Sequence, residues 1–267
     1  MNAQEFTEAI WEKALQLYRD MPWRDNTDPY YILVSELMLQ QTQVDRVIPK
    51  FELFMHTFPT ILDVAKAPLS DVLTVWSGLG YNRRAKFLHA TAKKVVSDFQ
   101  GVIPDRYDAL LSLPGVGPNT AGAILVYSFN QPVVFIETNV RTVYFHHFFH
   151  DQALVSDKEL KELIEQTIDT EHPREWYWGL MDYGAYLKKN GAGRIDKSRH
   201  YKKQAPLKGS VREVRGLILK ALSKEEYFFD ELRRSMPHDK RFEIALQALL
   251  KEGLITQTDD RLHLTKT

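Results

Sequence analysis

Between Leu113 and Gly122 the chain reads Leu-Pro-Gly-Val-Gly-Pro-Asn-Thr-Ala-Gly, and two glycines one residue apart let the backbone reverse tightly. The small residues Thr120, Ala121, Gly122 and Ala123 read as a helix whose start faces that reversal. Tyr107–Leu113 leads into it. Unpaired N–H groups at such a helix start suit a phosphate. Twenty residues after Gly117, Glu137 and Asn139 set a carboxylate and an amide beside an apolar run. A bare charge there is costly without a partner or a task. The whole stretch implies a backbone clamp on nucleic acid beside an acidic reaction centre.

The remainder of the first 200 residues is read as a succession of helices. Residues 5–19 are amphipathic, with Phe6, Ile10, Ala14, Leu15 and Leu17 on or near one side. From Pro29 a very apolar helix runs through Tyr30 to Leu39 and is closed by Gln40-Gln41-Thr42. Short helices follow over Pro49–Met55, Ile61–Ala65 and Leu69–Trp76, until Gly78-Leu79-Gly80-Tyr81 breaks the run. Arg83–Phe99 carries Ala85, Leu88, Ala92, Val95, Val96 and Phe99 at helical spacing, with its Lys and Arg residues elsewhere. Helices are then expected over Arg141–Phe149, after the capping box Ser156-x-x-Glu159, and from Pro173 to about Leu187. No convincing pair of alternating strands interrupts them, so this part reads as all-α.

Two groups of side chains bear on chemistry. Glu36 is the only acid of the 30–39 helix and has Ile32, Leu33, Leu37 and Leu39 within four residues. Such a carboxylate is either hydrogen-bonded as a structural group or held as a general acid or base. His146, His147 and His150 share one segment, and the spacing of His146 and His150 suits a metal ion. With no third ligand near them they are read as surface or core histidines, and no metal or cofactor is expected.

From Gly209 the pattern changes. Helices over Val211–Leu222, Asp230–Met236 and Lys240–Glu252 precede Leu254–Gln257, a turn at 258–261 and Leu262–Leu264. Three helices and a terminal hairpin are the plan of a winged helix, with a boundary near 205–209. Between Lys188 and Lys220 eleven Lys or Arg stand against two acids. Such a density suits either phosphate neutralisation or a solvated linker. Overall charge is zero with a pI near 7.1, so bulk charge argues for no polyanion partner. The chain has no cysteine, which excludes disulfides and thiolate metal or iron–sulfur ligation within it. It shows neither an apolar run of about 18 residues nor a basic-then-apolar start. A cytoplasmic protein is therefore expected.

Taken in order, Pro22-Trp23-Arg24, Ser35 to Val44, Trp76 to Tyr81, Leu113 to Gly117, Thr120 to Ala123 and Met181 to Ala185 resemble the helix-hairpin-helix DNA glycosylases of the MutY type. Six motifs in matching sequence, over roughly residues 5–190, carry the resemblance. It implies a two-lobed helix-hairpin-helix glycosylase fold: a six-helix barrel over 27–134, a second lobe from 1–26 with 135–205, and a small C-terminal winged-helix-like α+β domain over 206–267. It also implies double-stranded DNA as partner, a monomer, and a damaged or mispaired base extruded between the lobes. Glu36 matches the acid that protonates the adenine leaving group. Gln41 and Tyr81 match residues that enter the DNA stack, and Gly115-Val116-Gly117 grips the phosphates. Gln40, Thr42, Gly80, Asn119, Thr120, Lys188, Lys189 and Arg199 complete the expected DNA-binding set.

Three departures qualify that likeness. The second catalytic carboxylate, an aspartate in relatives, falls on Glu137, with Asn139 matching an asparagine that orients this region. Strand-cleaving relatives carry a lysine where Asn119 stands, so a monofunctional enzyme is expected. Lys188 occupies the position of the first iron–sulfur ligand, and the usual C-terminal reader of 8-oxoguanine is replaced. The reading is an adenine glycosylase acting opposite 8-oxoguanine or guanine. The alternatives are a same-fold glycosylase for another base and a non-catalytic protein that binds lesions or DNA structure.

Overall fold

The computed structural model describes residues 1–149, 152, 154–193, 198 and 206–266. Its elements in chain order begin with α1 (Ala3–Leu17), α2 (Pro29–Leu39), α3 (Val44–Thr57), α4 (Ile61–Lys66), α5 (Leu69–Trp76) and α6 (Arg83–Phe99). Next come α7 (Tyr107–Leu111), α8 (Pro118–Phe129), α9 (Thr138–Phe148), α10 (Asp157–Thr167) and α11 (Pro173–Lys189). The C-terminal part holds α12 (Val211–Leu222), β1 (Tyr227–Phe228), α13 (Phe229–Arg234), α14 (Arg241–Lys251), β2 (Ile255–Thr258) and β3 (Arg261–Leu264). Apart from one isolated bridge between Val155 and Ser198, no extended pairing interrupts the helices before β1 among the described residues.

Local chemistry explains where the helices start. Asn2 with Glu5, Thr60 with Asp63, and Ser156 with Glu159 form reciprocal capping boxes at α1, α4 and α10. Asp28 accepts from the Tyr30 backbone N–H at 2.8 Å where α2 begins. Pro49, read from sequence as a helix start, lies inside α3. That helix opens five residues earlier, at Val44, so its apolar face gains Val47 below Phe51 and Phe54.

The chain divides into two compact units. One takes the described residues of 1–33, 105–112 and 116–203, the other those of 34–104, 113–115 and 204–267. In the first unit α11 is packed by both α1 and α9, burying Phe6, Ile10, Tyr144, Phe145, Trp176 and Tyr177. Fully burying side chains of this size contributes about 1.5–3 kcal/mol each. Beneath them Asp182 accepts from Arg24 at 2.7 and 3.0 Å and from Arg19 at 2.7 Å. That pairing satisfies a charge which burial would otherwise penalise heavily.

The second unit packs α3 to α6 around Val47, Phe51, Phe54, Trp76 and Leu88. Residues 206–266 are part of this same unit, with α12 against α14 over Val214, Ile218, Phe242 and Leu249. The sheet order is β1-β3-β2 and both pairings are antiparallel. The terminal hairpin was expected from sequence. The third strand, β1, is too short to show an alternation. Lys86 Nζ donates to the Glu252 carbonyl at 2.5 Å, and the Leu69 N–H donates to the Lys266 carbonyl at 3.2 Å. No helix among the described residues is long and apolar enough to cross a membrane.

Candidate functional site

Of the two glycines in the hairpin between α7 and α8, the backbone needs only Gly115, since Gly117 has an ordinary φ of −92° and open space where a Cβ would stand. Gly115 sits at φ +76°, and a Cβ there would stand 2.5 Å from Phe87 Cβ, so no other residue fits without displacement. The Thr91 hydroxyl donates to the Pro114 carbonyl at 2.6 Å and holds the turn on α6. Gly117 is the N-cap of α8 with no side-chain cap, Pro118 takes the first helical position, and Val116 and Thr120 are buried. Gly117 has no side chain to cap α8 in the way that Asn2 and Ser156 cap α1 and α10, and a helix start of this kind suits an anion.

Within the first unit this helix start is tied to the acidic residue. The Asn119 amide donates to the Ile136 carbonyl at 2.9 Å, one residue before Glu137. Glu137 is half-buried and is itself the N-cap of α9, which begins three residues earlier than the sequence pattern indicated. Its carboxylate accepts from the Asn139 N–H at 3.4 Å, where the positive end of the helix dipole favours an anion. Asn139 is held from behind by α11. A Cβ on Gly184 would lie 2.5 Å from the Asn139 carbonyl oxygen, so only glycine lets the two helices approach this closely. The Asn139 side-chain nitrogen faces Met181 Sδ at 3.6 Å, and its buried Oδ1 has no hydrogen-bond partner among the described residues.

Lys188 and Lys189 lie exposed in the last turn of α11, favourable for its carbonyl end. Although much of Lys188 reaches solvent, burial around its amine lowers its pKa. The charge of Glu137 opposes that shift and that of Arg19 adds to it, which sets the ammonium within electrostatic reach of Glu137. Arg199 and His150 lie outside the described residues. His147 Nε2 pairs with the Tyr183 hydroxyl at 3.1 Å and His146 packs edge-on against the same ring. No group of three or more possible metal ligands occurs among the described residues. With no cysteine in the sequence and a lysine at position 188, these residues do not fit an iron–sulfur cluster.

In the second unit, Glu36 is half-buried on α2 between fully buried Val34, Leu37 and Met38. Gln40, Gln41 and Thr42 follow it, with Gln41 exposed at φ +56°. Gly80, at φ +74°, and Tyr81, exposed at φ +48°, form a second left-handed turn. Sequence reasoning missed what joins these turns. Arg84, set down as one of the cations off the apolar stripe of α6, is only 6% exposed and donates to oxygens of both segments. Burial lowers its pKa to about 10, so it stays charged at neutral pH, and the Tyr81 charge acts in the opposite sense. The signal available in sequence was its place two residues into a helix directly after a Gly-x-Gly-Tyr turn. A cavity of about 890 Å³ opens beside these turns, lined among others by Gln41, Tyr81, Phe87, Leu207 and Arg212. Arg212 of α12 donates to the Tyr81 hydroxyl and lies over its ring, 5.7 Å from the centroid.

A helix-hairpin-helix glycosylase is the class that these elements define, and residues 34–169 match the family described as HhH-GPD superfamily base excision DNA repair protein, to which this chain belongs. Its relatives include adenine DNA glycosylases. That of Buchnera aphidicola subsp. Baizongia pistaciae (strain Bp) is 35% identical over 63% of this chain and 48% of its own length. That of Mycobacterium tuberculosis (strain CDC 1551 / Oshkosh) is 31% identical over 91% of this chain and 88% of its own. The chain thus spans about half the length of the Buchnera protein. Among solved structures, a thermostable thymine-DNA glycosylase is 29% identical with a TM-score of 0.62, covering 68% of this chain and 86% of that one.

Proposed function

We propose that this chain is a monofunctional adenine DNA glycosylase of base excision repair, acting as a monomer on double-stranded DNA at the nucleoid. The observation that carries the proposal is the bond from Asn119, in the first turn of α8, to the residue before Glu137. It ties the start of α8 to the segment whose carboxylate caps α9, which supports reading the two as one phosphate-binding and catalytic assembly. The N–H groups after Gly115-Val116-Gly117 hold the strand's phosphates, with Thr120, Lys188, Lys189 and Arg199 as further contacts. Gln40, Gln41, Thr42, Gly80 and Tyr81 meet the duplex where the base has left the stack.

The chemistry follows from the bond to be broken. As the bond between the sugar C1′ and the base nitrogen lengthens, its electron pair goes to the base, and Glu36 delivers the proton that neutralises it. Positive charge gathers on the sugar, where the Glu137 carboxylate stabilises it or attacks C1′. Asn139 orients that carboxylate. Water then supplies the hydroxyl at C1′, displacing the Glu137 carboxylate where that has bonded and giving its proton to the Glu36 carboxylate, and an abasic site is left. Asn119 supplies no amine for a Schiff base, so the strand stays intact.

The test is base release from duplexes carrying adenine opposite 8-oxoguanine or guanine, beside duplexes with uracil, hypoxanthine, alkylated bases and thymine opposite guanine, followed by alkaline cleavage. Release of adenine is the expected result. The likeness to the thymine-DNA glycosylase supports a second reading, a mismatched pyrimidine target, for which thymine release is the outcome. Tight binding without product would instead make the chain a lesion-binding protein.

A further inference from the structure

We propose that Arg84 is a positioning residue that sets Gln41 and Tyr81 in the shape in which they enter DNA, and so controls how readily the base is extruded. The proposal rests on the reading above that these two residues meet the duplex. The guanidinium donates to the Leu37, Met38 and Gln40 carbonyls at 2.7, 2.8 and 2.6 Å. The first two are C-terminal carbonyls of α2 and the third lies just past its end, a place where a cation satisfies the carbonyls while it complements the helix dipole. On the other turn it donates to Gly80 at 3.0 Å, Tyr81 at 3.3 Å and Leu79 at 3.5 Å, and it reaches the Thr42 hydroxyl at 3.1 Å. Seven neutral oxygens from two chain segments thus converge on one cation.

What the cation fixes is unusual backbone. Gln41 and Tyr81 both stand at positive φ, a conformation that is strained for an L-residue and persists only where its surroundings over-determine it. Arg84 bonds to the carbonyl just before Gln41 and to those of Gly80 and Tyr81 itself. The Trp76 and Tyr81 rings, each 5.5 Å from the guanidinium carbon, give it two aromatic contacts besides. A lysine keeps the charge but has one donor centre instead of a planar fork, so it cannot bridge both turns. Unpinned, the turns relax, and the residues that fill the vacated stack arrive in a poorer geometry. The bond-breaking step itself is untouched.

The test compares Arg84→Lys with wild type under single-turnover conditions on two substrates, a paired duplex and one whose target adenine faces an abasic analogue and is already unstacked. Arg84→Lys is expected to lose about tenfold or more on the paired duplex and far less on the unstacked one. In the double variant with Tyr81→Ala the losses should fall well short of multiplying, since one residue acts through the other. Equal losses on both substrates, or multiplying losses with Tyr81→Ala, would overturn the proposal. Should Arg84→Lys fail to fold, Trp76→Phe, which shrinks one of the two rings against the cation and is not among the residues that meet the duplex, is read in the same ratio, with a smaller loss expected and an unchanged ratio counting against the idea. If no base is released at all, the glycosylase reading fails. The clamp is then still measured by 2-aminopurine fluorescence in the bound duplex, which should rise with wild type and not with the variant.

Discussion

Glu137 caps α9, so the helix start holds its carboxylate, and the proposal that this longer side chain serves where the resemblance implies an aspartate turns on that cap. Two substitutions separate charge from length. Glu137→Asp should retain excision while Glu137→Gln loses it, measured as single-turnover adenine release, and an unimpaired Glu137→Gln would remove this residue from the chemistry. Glu36→Gln should cost about 10²–10⁴-fold, the usual contribution of a positioned general acid, with DNA binding retained. Asn119 gives an independent check. Borohydride added during turnover should trap no covalent adduct on the strand, because its amide cannot form the imine, and an adduct would mean that another amine attacks C1′. The half-buried place of Glu36 in α2 and the turn at Gly115 before α8 were legible in sequence, since a lone acid in an apolar helix and a Gly-x-Gly turn carry their own chemical signatures. Arg84 was not. In a helix its periodicity marks it as solvent-facing, and only the folded turns on either side of it reveal seven acceptors.

At the scale of elements, the first unit depends on Asp182, whose side chain is 1% exposed and paired with Arg24 at 3%. Asp182→Asn would leave Arg24 buried without its counter-charge and should destabilise the protein by about 3 kcal/mol or more in denaturant unfolding. A loss under about 1 kcal/mol, typical of surface pairs, would contradict this account of the pair. In the second unit His89 is buried and paired with the Ala67 carbonyl at 2.9 Å. Its pKa is lowered by burial, with the Ala67 bond opposing and Lys93 assisting. The unfolded chain takes up this proton near the ordinary value of 6.5 and the native state only at lower pH, so the unfolded state binds more protons in between. Stability should therefore fall as pH drops below about 6.5, and His89→Gln should flatten that fall in thermal melts between pH 7.5 and 5.5. Helix positions were readable from apolar spacing and capping boxes, whereas their ends shifted by a few residues. The partners of Asp182 were hidden because Arg19, Arg24 and Asp182 meet across some 160 residues.

At the scale of the molecule, residues 206–266 are built into the unit that carries Glu36 and Tyr81. Arg215 pairs with Glu252 at 2.9 and 2.6 Å, and the Glu252 carbonyl accepts from Lys86 of α6. Removing them should lower the thermal midpoint of what remains, and an unchanged midpoint would mean that the two parts fold independently. With zero formal charge overall, the proposed DNA binding rests on local groups, the hairpin N–H groups and the two lysines in the last turn of α11, and not on a bulk field. The central claim is that Glu36 and Glu137 serve one hydrolysis of an adenine nucleotide. It is tested most directly by alkali-revealed cleavage of a duplex with one adenine opposite 8-oxoguanine, using wild type, Glu36→Gln and Glu137→Gln. The account predicts an abasic site from wild type and almost none from either variant despite intact binding. Adenine release that persists in either variant, or no release of adenine by wild type, would contradict it.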